Sequence, residues 1–377
     1  MRFGLISEAD TPKGMTHYHR YHELLDEIKL AEDVGFDFWG SSEQHFLPTV
    51  ASISAPETFY AAVAMRTSRI KLRHMSVVML KFNHPIRIAE RLATLDILSH
   101  GRVEFCTARS NSHLTIDPFE VDAEETRDQW RETLEATIKA LVNDPFEHEG
   151  KMYKIQPTSV APRLYRESLF PVSVIANSFE TFDLAGKSGL GVITADNWLG
   201  WDWLKEGADR YWKAIKDAKP FAPYPVTKSL GYFVATANCD TDEERAINSA
   251  RHIASGFFAL CESIYTGMAA RSDSYATGIG RISEMAARRD DLEFMMDHTP
   301  SLILGTPERF VTQIKRLESL GYDEVVLRID GFGHEQNCRA IELVGKYVIP
   351  AFKSPRSAVW NSEYEHLGIT NVPTNLI

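Results

Sequence analysis

Three short clusters along the chain hold residue types that do chemistry. Glu43, Gln44 and His45 are consecutive, Arg109, Asn111 and His113 alternate, and Asn177 and Ser178 shortly precede Thr181. The first cluster offers a carboxylate and an imidazole that can move protons. The amide between them can only hydrogen-bond. The third cluster reads as the start of a helix. A Ser178 cap there leaves the backbone N–H groups of Phe179 and Glu180 free to hold an anion. Asn177 and Thr181 add neutral donors and Arg109 adds positive charge, so the four together make a phosphate cradle. A second reading stays open on these residues alone: Ser178 is only a cap, and Arg109 only pairs with a carboxylate.

Short apolar runs must place these clusters, and they alternate with helical patterns along the whole chain. The runs cover 2–7, 37–44, 70–80, 103–110, 172–178, 191–197, 230–239 and 322–329. Most do not alternate apolar with polar, as expected when both strand faces are buried. Eight consecutive strand–helix units favour closure into a (β/α)8 TIM barrel over an open sheet. Such a barrel puts its active site at the carboxyl ends of the strands. That rule selects the three clusters, with Met79 to Asn83 and Asp196 to Trp198 beside them. The segment 146–162 breaks the rhythm and reads as a hairpin around Gly150. Residues 268–300 form a long polar tract, read as a lid or as a plain surface excursion. Thr241 with Glu244 forms a capping box ahead of a helix. The expected organisation is one barrel domain over 1–355 with a C-terminal extension over 356–377.

Composition removes several function classes. A net charge of -11 disfavours nucleic-acid and anionic-membrane partners. The four cysteines form no CxxC pair, which argues against a zinc knuckle and fits a reducing, cytoplasmic setting. No apolar run is long enough for a membrane span, and MRFGLISEAD has no long apolar h-region, so no signal peptide is expected. The histidines of HYHRYH (17–22) match no metal pattern, so no metal is assigned. His74 and Cys106 lie mid-strand and read as interior residues, the thiol inert. P-loop, GxGxxG and GxSxG motifs are absent.

Longer stretches carry a resemblance. AEDVGFDFWGSSEQHF, TSRIKLRHMSVVMLKFNHPIRIAERLATLDILSHGRVEF and VSVIANSFETFDLAGKSGLGVI resemble the bacterial luciferase-like flavin-dependent monooxygenases, as does GTPERFVTQIKRLESLGYDEVVL near the end. The resemblance implies a barrel with an insertion after a late strand, usually as a homodimer. It implies reduced FMN, supplied by a separate flavin reductase, that reacts with O2. The resulting C4a-(hydro)peroxyflavin oxygenates a small organic substrate. By position it assigns the phosphate to Arg109, Asn177, Ser178 and Thr181, with Asn111 and Ala176 in the same cofactor set. Ser76 and Val77 fall where a strained non-prolyl cis peptide underlies the flavin ring. His45 or His113 would hydrogen-bond or transfer a proton near the flavin. Gln44, beside Glu43, would position substrate or oxygen. Phe46, Phe82 and Trp198 line the substrate side or pack in the core.

Three departures from the family pattern stand out. Gln44 replaces a catalytic histidine, which counts against light emission and aldehyde oxidation. Cys106 and Ala108 stand where strand glycines are usual, which brings Cys106 towards the flavin. Asn177 replaces an acidic residue and should ease anion binding. Two rival readings follow: an F420-dependent oxidoreductase of the same superfamily, and a non-catalytic flavin-binding or partner subunit.

Overall fold

The apolar runs do become strands, and eight of them close on themselves. A computed structural model describes residues 1–353 except 167, 196, 197, 277 and 278. Asp196, Asn197 and the expected C-terminal extension lie outside the described residues. The strands are β1 (Arg2–Ile6), β2 (Phe38–Ser42), β3 (Lys71–Val78), β4 (Val103–Ala108), β5 (Phe146–Glu149), β6 (Lys154–Thr158), β7 (Val172–Ala176), β8 (Gly191–Thr194), β9 (Leu230–Val234), β10 (Thr236–Cys239), β11 (Leu302–Gly305) and β12 (Glu324–Arg328). The barrel order is β1-β12-β9-β8-β7-β4-β3-β2, with every neighbouring pair parallel. The hairpin expected around Gly150 is the antiparallel pair β5–β6.

Among the described residues twelve α-helices accompany the strands. They are α1 (His17–Val34), α2 (Pro56–Arg66), α3 (Pro85–Leu98), α4 (His113–Ile116), α5 (Thr126–Val142), α6 (Phe179–Ser188), α7 (Trp201–Ala214), α8 (Glu243–Ala269), α9 (Ile279–Ala286), α10 (Leu292–His298), α11 (Pro307–Ser319) and α12 (His334–Leu343). The cap of α8 differs from expectation. Asp242, not Thr241, accepts the Arg245 N–H at 3.0 Å, because its carboxylate sits one residue closer to the first turn. The run 230–239 also breaks at Ala235 into β9 and β10. β9 stays in the barrel, while β10 leaves it to pair with β11. Helices α8 to α10 pack over that small sheet around Phe258, Met295 and Leu304. Among the described residues no helix is long and apolar enough to cross a membrane.

The barrel interior is layered. At the amino ends of the strands Arg2, Arg73, Glu104 and Glu324 form a buried ion cluster. Above it Phe38, Met75, Cys106, Ile193 and Val326 plug the lumen. Gly40 makes room for this plug, since a Cβ there would lie 2.4 Å from both the Arg73 carbonyl and Met75 Cγ. Backbone cannot yield as a flexible side chain can. Gly40→Ala is therefore expected to cost about 1–3 kcal/mol by overpacking, read as a lower urea midpoint at unchanged slope.

Candidate functional site

Above the apolar plug the strand ends open into a cavity of about 380 Å³. That is within the range of small-molecule sites. Its position at the carboxyl ends of parallel strands follows the barrel rule. Glu43, Gln44, Ser76, Arg109, Asn111, Asn177 and Thr181 all stand in its wall. The strand-end clusters, 138 residues apart at their extremes by number (43 to 181), thus meet in one place.

One end of the cavity is built for an anion. Ser178 caps α6, its Oγ accepting the Thr181 N–H at 3.3 Å and lying 2.9 Å from the Thr181 hydroxyl. Asn177 and Thr181 face the cavity beside that helix start. Three guanidiniums share this wall: Arg109, and Arg127 and Arg131 from α5. Arg127 and Arg131 were not anticipated. Their four-residue spacing on the helical stretch 123–143 puts both on one face, which was the available signal. Arg127 makes a two-pronged contact to Glu180 at 3.0 and 2.9 Å. Arg131 lies 5.1 Å from the Phe221 ring centre. Arg109 is turned towards the expected lid segment. Its Nη atoms donate to the Ser274 hydroxyl and carbonyl at 3.0 and 3.1 Å, and its Cζ lies 3.9 Å over Tyr275. Burial draws its pKa down, as expected for a cation held off water.

Alternation along the strands sorts the other expected residues. Successive side chains point to opposite faces. Ser76 and Asn177 therefore reach the cavity, while the side chains of Val77 and Ala176 pack outward in the strand–helix core. The Ser76–Val77 bond is not cis; the cis bonds fall at Asp144–Pro145 and Ala161–Pro162. What marks this stretch is a register shift of β3 against both neighbours. The shift turns both Met75 and Ser76 into the cavity wall.

His45 is not in the cavity wall. A positive φ at Phe46 turns the chain sharply after it. Its Nε2 lies 3.2 Å from Glu43 Oε1, and its ring packs against Phe82 and Phe119. Phe46 and Phe82 belong to that outer aromatic group, and Phe46 is exposed. Trp198 packs against Phe258 instead of lining the site. His113 lies under α8, against Gly267, with its Nδ1 buried and without a hydrogen-bond partner among the described residues. Cys106 stops one layer below the cavity, where burial pushes its thiol up to about 12. His74 is interior, stacked on Tyr60, and burial lowers its pKa to about 3. Among the described residues the aromatic side chains in the cavity wall are Trp130, Phe221, Phe233, Phe257, Tyr265 and Tyr275.

Glu43 works as a clamp. Its Oε2 accepts the Val78 N–H at 2.8 Å, and its Oε1 accepts the Asn83 amide at 2.7 Å. The carboxylate thereby fixes the end of β3 beside Ser76. Glu43→Ala orphans two donors and is expected to cost about 1–3 kcal/mol. Denaturation should show the loss, and Glu43→Gln, which keeps one oxygen acceptor, should recover part of it.

Comparison with known proteins adds to this geometry. The family model for luciferase-like monooxygenases matches residues 1–324. Limonene 1,2-monooxygenase of Rhodococcus erythropolis is 26% identical over 88% of this chain and 81% of its own. The oxygenase component of the flavin-dependent trigonelline monooxygenase of Acinetobacter baylyi is 23% identical over 94% and 97%. Among solved structures, the oxygenating constituent of Pseudomonas putida 3,6-diketocamphane monooxygenase, in complex with FMN, superposes with a TM-score of 0.74. It is 20% identical, covering 94% of this chain and 99% of that one. The coenzyme F420-dependent tetrahydromethanopterin reductase of Methanopyrus kandleri gives 0.70 at 22% identity, covering 93% and 99%.

Proposed function

The chain belongs to the luciferase-like monooxygenase family, and on that premise we propose that it is the oxygenase of a two-component, FMN-dependent monooxygenase acting on a small organic molecule. One observation carries the reading. A single cavity has a cationic, helix-capped end at Arg109, Arg127, Arg131 and α6, and a remainder lined by apolar Ile193, Phe233 and Phe257 with a few polar groups, Glu43 and Gln44 among them. A molecule with a phosphate on one end and a planar ring system on the other matches that polarity.

The donor set fits the FMN phosphate: the α6 N-terminus and Thr181 hydroxyl supply neutral donors, and the arginines supply charge. When bound, reduced FMN supplies the electrons that activate O2, so that one oxygen enters the substrate and the other leaves as water. The chain's own work is positioning and exclusion. Glu43 holds the end of β3, with Ser76 in the wall beside it, where it would help shape the site for a bound ring. Gln44, an amide in the wall, offers a donor and an acceptor without titrating. The apolar plug and the α8 residues Phe257 and Leu260 keep water from the reacting end. Tyr275 closes over the anion end, tied to the Ser110 carbonyl at 3.0 Å. His45 acts through Glu43. A separate flavin reductase and a homodimer belong to this reading. The reductase is supported by the trigonelline relative being an oxygenase component.

The second reading is F420-dependent hydride transfer, favoured by the F420-dependent reductase that shares the fold. Anaerobic titration with reduced FMN and with reduced F420 separates the two. Saturable binding of FMN, followed by 18O transfer from 18O2 to an organic product with a flavin reductase and NADH present, is the expected result. Binding of F420 without FMN overturns it. Binding of FMN with only H2O2 formed across a substrate panel favours the non-catalytic alternative.

A further inference from the structure

Barrel order fixes which residues lie opposite the anion cradle. Counting around the ring, β7 is the fifth strand from β1, so the two face each other across the lumen. Asn177 follows β7, and Glu8 follows β1. A cofactor anchored by phosphate at the β7 side therefore leaves its far side to whatever Glu8, Ser42 and Phe257 surround. Glu8 is only 8% exposed, yet it stands in the cavity wall. Its backbone is pinned on both sides. The Glu8 N–H donates to Asp330 at 2.9 Å, and its carbonyl accepts the Ser52 N–H at 2.9 Å. The backbone is thus fixed, and the side-chain carboxyl is itself engaged by the Ser42 side chain.

Behind Glu8 sits Arg328, at the end of β12 and 1% exposed. Its Nε is 3.8 Å from Glu8 Oε2, and its Nη2 donates to Asp10 at 3.2 Å. Among the described residues neither Nε nor Nη1 has a hydrogen-bond partner, although both are buried. The guanidinium is also shared across several carboxyls, since Asp330 faces it from the loop after β12 and Asp10 from the loop after β1. Arg20 ties Asp330 and Glu27 further back. Four carboxyls, Glu8, Asp10, Glu27 and Asp330, thus meet two guanidiniums. Burial pushes the carboxyls of Glu8 and Asp10 up, Asp10 to about 6. Of these groups Glu8 reaches the cavity.

Resting on the FMN reading above, we infer that Glu8, backed by Arg328, is the substrate's polar anchor, and that the site takes compact apolar molecules bearing one neutral oxygen group, a carbonyl or hydroxyl. Burial, with Asp10 and Asp330 nearby, favours the protonated Glu8 carboxyl, which donates to such an oxygen. Ile6, Leu47, Val50 and Phe257 hold the apolar body. A substrate bound this way lies between Glu8 and the ring, with its polar group turned away from the phosphate. Glu8 is a specificity residue in this scheme and takes no part in holding the flavin.

The test uses FMN-loaded full-length protein and two probes of like shape, cyclohexanone and cyclohexene, titrated by ligand-observed NMR. The wild type is expected to favour the ketone by about 5–10-fold, the yield of one net hydrogen bond. That preference should fall as pH rises and Glu8 ionises. Glu8→Gln, which keeps a donor, should retain a preference that no longer varies with pH. Glu8→Leu should abolish it, with the FMN affinity unchanged in both variants. Should Glu8→Leu fail to fold, the wild-type and Glu8→Gln pH profiles decide alone. An equal ketone preference in Glu8→Leu, a pH-independent preference in the wild type, or no ketone preference in the wild type overturns the inference. A wild type that does not bind FMN overturns the FMN reading instead, and it does so before any probe is added.

Discussion

Replacing Arg73 by methionine is expected to destabilise the fold by about 3–5 kcal/mol, the usual cost of breaking a buried ion cluster from one side. Arg73 is buried at the barrel floor, with a guanidinium that reaches both Glu104 and Glu324 at 2.5 to 2.9 Å. It also lies 3.8 Å from the centre of the Phe38 ring. Without it, Arg2 is the ion-pair partner left to both carboxylates among the described residues, more than a third exposed and bridging them from the edge. Burial by itself pushes both carboxyls up, but Arg73 and Arg2 more than reverse this and hold them below the ordinary glutamate range. Their folded pKa values are thus lower than their unfolded ones. Their contribution is fully present above about pH 4.3, the unfolded value, and is lost as pH falls through the folded values. In the methionine variant burial regains control and the carboxyls take up protons more readily. The gap in stability between the two proteins is therefore expected to be widest at neutral pH and to shrink below pH 4. Urea unfolding at pH 7 and pH 3.5 measures this directly. A gap that stays constant across that range would mean that Arg73 acts by packing on Phe38 and not by charge. Lysine at this position should rescue little, because a single ammonium cannot span two carboxylates in a fork.

That floor cluster also shows where sequence reading stops. The eight barrel strands are legible because a strand buried on both faces must be apolar along its length, as VSVIA and EVVLR largely are. The charged members Arg73, Glu104 and Glu324 break that pattern. They make sense only once residues 73 and 324, 251 apart in sequence, are neighbours. The same holds for β11, a four-residue run whose partner β10 looks like the continuation of β9 until the chain bends at Ala235. At the site, the strand-end rule finds Glu43, Gln44, Arg109 and Asn177, because strand ends have only one place to point, whereas Ser76 is singled out only by the resemblance. It fails for groups that enter from helices, as Arg127, Arg131 and Phe257 do. It also misplaces His45 and His113, since proximity in sequence to a strand end does not fix a side chain beyond the next turn. Glu8 escaped for a different reason. It follows the first strand with no motif around it, and its importance comes from Arg328 at the other end of the chain.

Arg109→Ala is expected to weaken FMN binding by about 100-fold while leaving riboflavin binding within about twofold, since a charge-assisted contact to phosphate is worth about 1.5–3 kcal/mol. The prediction turns on the present position of Arg109. Its guanidinium is engaged by the Ser274 hydroxyl and carbonyl and by the Tyr275 ring, while Thr126 Oγ1 lies 3.3 Å from Nη1. These are neutral partners, and a phosphate dianion outcompetes them for a guanidinium held partly out of water. Moving Arg109 from Ser274 to the phosphate would leave Tyr275 held by its own contacts to Thr126 and the Ser110 carbonyl. The covering segment then stays in place while its cation turns inward. Ser274→Ala removes one competing acceptor and is expected to tighten FMN binding slightly, by no more than about threefold. Fluorescence titration with FMN and riboflavin in parallel reads all of these effects. Equal losses for the two flavins in Arg109→Ala would assign Arg109 to shaping the cavity by packing on Tyr275. No loss for either would leave the phosphate to Arg127, Arg131 and the α6 N-terminus, and Arg109 to the covering segment alone.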